Sequence, residues 1–103
     1  MYLPKPFKNF KENFSTIHSH YEQLAKACRA HGPLEQKSQD LIKLGIAIGQ
    51  NSKGGVMSNT RKALASGATA DEVQHAVVLS LTTVGFPAMI AAMGWVGDVL
   101  EKQ

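Results

Sequence analysis

Phe7, Phe10, Phe14, Ile17, Tyr21, Leu24, Cys28 and His31 recur at alternating spacings of three and four, and nearly every position between them is polar. So narrow an apolar stripe predicts one helix over residues 6–31. At 1.5 Å per residue, a helix of about 26 residues is roughly 39 Å long. A compact domain of this size does not cover that length from one side, so part of the stripe is expected to pack on another subunit. Gly32-Pro33 ends the helix, because glycine takes the left-handed cap conformation and proline cannot continue the backbone ladder.

Beyond this point the apolar residues thicken. Leu41, Ile42, Leu44, Ile46, Ala47 and Ile48 occupy more than one stripe of a second helix, Leu34 to about Gln50, which is expected near the centre of the core. Residues 49–55 carry three glycines and an asparagine, poor helix formers that predict a turn or a loosened helix start. A third helix runs from Val56 to about Ser66, capped by Gly67. Thr69-Ala70-Asp71-Glu72 reads as a capping box that opens a fourth helix, ending near Val84. Phe86-Pro87 opens a fifth, in which Ala88, Ala91, Ala92, Gly94 and Gly97 permit close helix contact. No alternating run is long enough for a strand, so the fold class is all-α: a bundle of about five helices in one domain, 1–103.

Composition narrows the function classes. A chain of 103 residues buries only about 60–70% of its unfolded surface, which makes association between copies an expected source of further burial. Its single cysteine excludes an internal disulfide and any CxxC motif. The start, Met1-Tyr2-Leu3-Pro4-Lys5, lacks an apolar leader, so a reducing cytoplasm is expected. The formal charge of +3 is small and scattered, unlike the concentrated basic face of a nucleic-acid binder, and no nucleic-acid partner is expected. Residues 76–97 carry no formal charge, but Val84-Gly85-Phe86-Pro87 divides them into two pieces too short for a bilayer. They read as a buried helical hairpin, with no membrane partner expected.

Candidate chemistry is sparse. The glycines near Lys53 do not form a phosphate loop, since the lysine precedes them and a helix, not a strand, leads in. Cys28 and His31 share a helix face but lack further ligands, and His18 and His20 point to different sides, so no metal or cofactor is expected. His75 follows Asp71 and Glu72 by four and three, the spacing of a local surface ion pair. Asp40, Ser52 and Asn59 are the remaining candidates: a carboxylate, a hydroxyl and an amide around helices two and three, able to line one polar pocket or to serve as helix-start, cap and solvated residues.

Lys37-Ser38-Gln39-Asp40-Leu41-Ile42, Ala47-Ile48, the run from Thr60 to Thr69, Glu72-Val73 and Gly85-Phe86-Pro87-Ala88 together resemble the carboxymuconolactone decarboxylase family, which includes alkylhydroperoxidase-D-like proteins. The resemblance covers roughly residues 34–99. It implies a helical subunit that assembles into homo-oligomers, trimers or hexamers, with its active centre at the start of the third helix. In the peroxidase-like branch that centre is CxxC, then three residues and a histidine, with an acid twelve positions before the first cysteine. Counted back from Gly67, these positions fall on Ser52, Gly55, Asn59 and Asp40, and only the acid is retained in kind. A serine hydroxyl, a bare glycine and an asparagine cannot run a thiol relay. The resemblance therefore implies a non-redox member that binds a small molecule or serves in assembly. Acid–base work on a small carboxylate or lactone at Asp40, Ser52 and Asn59 is the alternative, and peroxidase chemistry at Cys28 a weaker one.

Overall fold

The computed structural model describes residues 4–103. Residues 1–3, on which the expectation of no apolar leader partly rests, lie outside the described residues. Helices are the only regular elements among those described: α1 (Lys5–Asn13), α2 (Ser15–Ala30), α3 (Gln36–Gly49), α4 (Lys53–Ala65), α5 (Ala70–Leu79), the four-residue helical turn α6 (Leu81–Val84) and α7 (Phe86–Glu101). The all-α class is as expected, with six helices and one helical turn instead of about five helices. The chain forms two compact units, one ending at Pro33 and one spanning Leu34–Gln103.

In the first unit, the single predicted helix is two. Phe14 leaves helical geometry at φ −130°, ψ 49°. Its N–H still donates to the Phe10 carbonyl, and its own carbonyl accepts from the His18 N–H, both at 2.9 Å. One residue thus closes α1 and opens α2. In a straight helix Phe7 and His18 would be separated by roughly 16 Å along the axis; here their ring centroids are 5.6 Å apart at 81°. Phe10 meets the same imidazole at 6.0 Å. The bend therefore buries His18, whose Nδ1 lies 3.1 Å from Glu22 Oε1 one turn on. Periodicity could not foresee this, because the bend preserves the spacing of three and four on both sides of Phe14.

In the second unit, α3 and α4 run antiparallel. Asn51 makes the reversal in the left-handed region at φ 53°, a conformation that asparagine tolerates better than most residues. α4 then begins at Lys53, three residues earlier than its composition predicts. Ser52 as N-cap accepts the Gly55 N–H at 3.1 Å, and this bond offsets the weak propensity of the two glycines behind it. At the other end, Gly67 takes φ 97°. Ala68 N–H donates to the Ala63 carbonyl at 2.9 Å and Gly67 N–H to that of Leu64 at 3.1 Å, a Schellman closure that needs a glycine in this position.

The capping box at α5 is present in both directions: Thr69 Oγ1 accepts from Glu72 N–H at 3.0 Å, and Glu72 Oε1 accepts from Thr69 N–H at 2.9 Å. The predicted fourth helix is interrupted at Ser80, which folds its hydroxyl back onto the Val77 carbonyl at 2.6 Å. α6 follows, Gly85 turns the chain at φ 93°, and Pro87 stands in the first turn of α7, as expected.

The core gathers one face of each helix: Leu44, Ala47 and Ile48 from α3, Val56 and Ala63 from α4, Val73 and Val77 from α5, and Met89, Ala92 and Val96 from α7. The second apolar stripe of α3 is outside it, with Ile42 and Ile46 exposed. No described helix is long and apolar enough to cross a membrane. Leu44 is completely buried, and truncating such a leucine leaves a cavity as well as losing its transfer energy. Leu44→Ala is expected to lower unfolding stability by about 2–5 kcal/mol, read by urea denaturation.

Candidate functional site

Asp40 lies in the second turn of α3 with 1% of its surface exposed. Ser66 donates its hydroxyl to Asp40 Oδ2 at 2.5 Å, and Ser66 is the C-cap of α4. The start of one helix is thereby tied to the end of its antiparallel neighbour. Ser66 was not among the sequence candidates. The signal that could have found it is hairpin symmetry, since residues 40 and 66 are equally far from a reversal centred near residue 53.

Ser52 and Asn59 have a different neighbourhood. Ser52 Oγ accepts from the Gly55 N–H at 3.1 Å, and the Gly55 carbonyl accepts from Asn59 Nδ2 at 2.9 Å. The three positions form one run of hydrogen bonds along the first two turns of α4, and each side-chain contact serves the backbone of that helix. Thr60, next in line and fully buried, likewise donates to the Val56 carbonyl at 2.7 Å.

Gly55 adds a steric fact. A Cβ built on it would lie 2.9 Å from Ser52 Oγ and 3.2 Å from Ala47 Cβ, closer than such contacts occur. Gly54, one residue earlier, has open space around it. The turn has closed around the missing side chain at 55.

The structure therefore brings Ser52 and Asn59 together through Gly55 at the closed end of the α3–α4 hairpin, and it brings Asp40 to Ser66 at the open end. From Asp40 to Gly49 the helix climbs roughly 13 Å, and from Asn59 to Ser66 about 10 Å.

A groove of about 530 Å³ opens elsewhere in this unit, between α3, α5 and α6. Leu41, Ile42, Ala76, Leu79 and Val84 make it mostly apolar, Gly45 and Gly49 leave part of α3 bare, and Glu72, His75, Ser80 and Thr83 supply polar groups. Sequence reasoning missed it, because its walls are a second stripe on α3 and the far side of α5, which only tertiary packing sets face to face. Glu72 closes one end by an ion pair, Lys37 Nζ standing 3.1 Å from its Oε2. This corrects the expected local pairing with His75: Glu72 serves Thr69 and Lys37, and His75 lines the groove.

The same contacts set the ionisation of Glu72. The Thr69 backbone N–H, and after it the Lys37 ammonium, hold its carboxyl below the ordinary 4.5. Because the folded value is the lower one, its stabilising contribution is complete above pH 4.5 and disappears as pH falls through the lowered value.

Among the described residues no three His, Cys, Asp or Glu side chains gather as a metal site. Cys28 is exposed on α2.

A helical bundle with an acid late in the first hairpin helix, a helix-opening centre twelve residues on and a capped Gly-Ala-Thr-x-x-Glu junction is the architecture of one protein class. The sequence profile of the carboxymuconolactone decarboxylase family matches residues 17–98, and the chain belongs to that family. Neither curated proteins nor solved structures give a match to it.

Two outcomes are expected here. Ser66→Ala should lower stability by about 1–3 kcal/mol, the penalty for removing a donor from a buried carboxylate, measured by chemical denaturation at pH 7. Glu72→Gln preserves the capping box but not the titration. A pH series of melting temperatures should therefore show a shallower loss below pH 4.5 in this variant than in the wild type.

Proposed function

We propose that this chain is a non-redox member of its family, a cytoplasmic homo-oligomer, trimeric or hexameric, that binds a small, mostly apolar molecule in the groove between α3, α5 and α6. One observation carries the reading: the positions corresponding to the two thiols and the histidine are Ser52, Gly55 and Asn59, linked in a hydrogen-bonded run that holds the start of α4. None of the three can store an electron pair in a disulfide, and the crowding at Gly55 leaves little room for a side chain. The groove supports the binding half of the reading, being of ligand size and apolar with a few polar groups.

A second reading has one observation in its favour. The completely buried Asp40 carboxylate is the retained acid, and acid–base work on a small carboxylate or lactone would use it as base, with Ser52 and Asn59 nearby. Against it stands the axial distance between Asp40 and the other two, and the hydroxyl of Ser66 already on one of its oxygens. If any decarboxylase or isomerase activity is found and Asp40→Asn leaves it intact, this second reading fails.

The deciding assay is hydrogen peroxide consumption with dithiothreitol as reductant. Wild type and Cys28→Ala should both run at the rate of dithiothreitol alone. Protein-dependent turnover that persists in Cys28→Ala would contradict the non-redox reading, and turnover that vanishes with Cys28 would move the activity to that thiol.

A further inference from the structure

The first unit has almost no interior. His18 is its one buried residue among those described, and Phe14, Ile17, Tyr21 and Leu24 stand 54%, 58%, 61% and 62% exposed along one side of α2. So small a unit is ordinarily stabilised by a disulfide, a metal or association. The single cysteine forbids an internal disulfide, and no metal cluster exists among the described residues. Association is the remaining route, and it needs a surface.

From Phe14 onward the exposed face has a strict seven-residue repeat. Phe14, Tyr21 and Cys28 occupy one seam position, and Ile17, Leu24 and His31 the other. Two apolar positions in seven is the narrow seam of a helix that packs against a single partner helix. α2 is 16 residues long, roughly 24 Å of such a seam.

We propose that two copies of this chain pair through α2 in an antiparallel seam, with Ile17 against the partner's Cys28 and Tyr21 against the partner's Leu24. Antiparallel packing sets the first seam position of one helix opposite the second of the other, so the layers are Phe14 with His31, Ile17 with Cys28 and Tyr21 with Leu24, each occurring twice. The smallest side chain thus faces a branched one and the aromatic ring faces a leucine, which fills each layer. Charge selects the direction. Lys26 and Arg29 lie near the C-terminal end of α2; a parallel pair would gather four cations at one end, and an antiparallel pair separates them while opposing the two helix dipoles. Such an interface is isologous and closes on itself. It draws on α2 alone and stands whether or not the groove takes a ligand.

Oxidative crosslinking of the full chain tests it, read on non-reducing gels with peptide mapping. Ile17→Cys should give covalent dimers joined to Cys28, because facing seam positions lie within disulfide reach. Adding Cys28→Ser should abolish them, since two thiols at position 17 would be displaced from each other by roughly 16 Å along the seam. Wild type, with the same displacement between its two Cys28 thiols, should remain uncrosslinked. Leu24→Glu, at an exposed position that leaves helix content unchanged by circular dichroism, should slow crosslinking of Ile17→Cys by about tenfold. The proposal is overturned if Ile17→Cys yields no dimer, if wild type crosslinks through Cys28 as fast, or if Leu24→Glu has no effect.

Discussion

The antiparallel pairing of α3 with α4 is the constraint on which the rest of the larger unit depends. Its closed end is fixed by the cap of Ser52 on Gly55 and its open end by Ser66 on Asp40. Between these ends, Leu44, Ala47 and Ile48 meet Val56 and Ala63, and α5 and α7 add their inward faces to the surface so formed. The Schellman closure at Gly67 and the capping box at Thr69 then set where α5 departs. Hydrogen bonds of this kind contribute about 1 kcal/mol each, far less than burial of the core, but they decide which faces are buried.

This division of labour explains how a family scaffold keeps its shape when its usual chemistry is gone. A reactive centre at the start of a helix requires side chains aimed away from the helix, free to move and to titrate. At Ser52, Gly55 and Asn59 the polar groups are aimed at the helix itself. Thr69 and Glu72 are family-like for a reason that has nothing to do with turnover: they cap α5, and Glu72 reaches across to Lys37 as well. Asp40 is retained in kind, yet its burial and its bond to Ser66 give it a full structural occupation. Resemblance at these positions reports the fold; the groove beside α3 is where the surface is shaped for something small.

Much of this was legible in the residues, and the misses have physical causes. Local rules worked where a short signal fixes the backbone: Gly67, the Thr69–Glu72 box and Pro87 stand where expected. Periodicity failed at Phe14 and Ser80, where helices break without disturbing the spacing, because tertiary burial of His18 and a hydroxyl-to-carbonyl bond outweighed continuity. Propensity failed at Lys53–Gly55, where one cap bond overrode two glycines. For the candidate residues, sequence separation along helices gave the face but not the partner: Asp40 met Ser66, which lies 26 positions away, and Ser52 with Asn59 met the backbone of their own helix. The groove was invisible because it is assembled from the outward stripe of α3 and the flank of α5, neither of which has a distinctive pattern alone.

The most direct measurement of the central claim is the stability difference between Gly54→Ala and Gly55→Ala, taken from urea denaturation. Both glycines lie in the first turn of α4, where replacing glycine by alanine ordinarily stabilises a helix by about 0.5–1 kcal/mol. At Gly54 that gain should be seen. At Gly55 the new methyl group would press on Ser52 and Ala47, and the variant should be less stable than wild type. Equal stabilisation by both would mean that the turn still has room for the side chain its relatives carry there, and that the chemistry was lost without the structure closing over it.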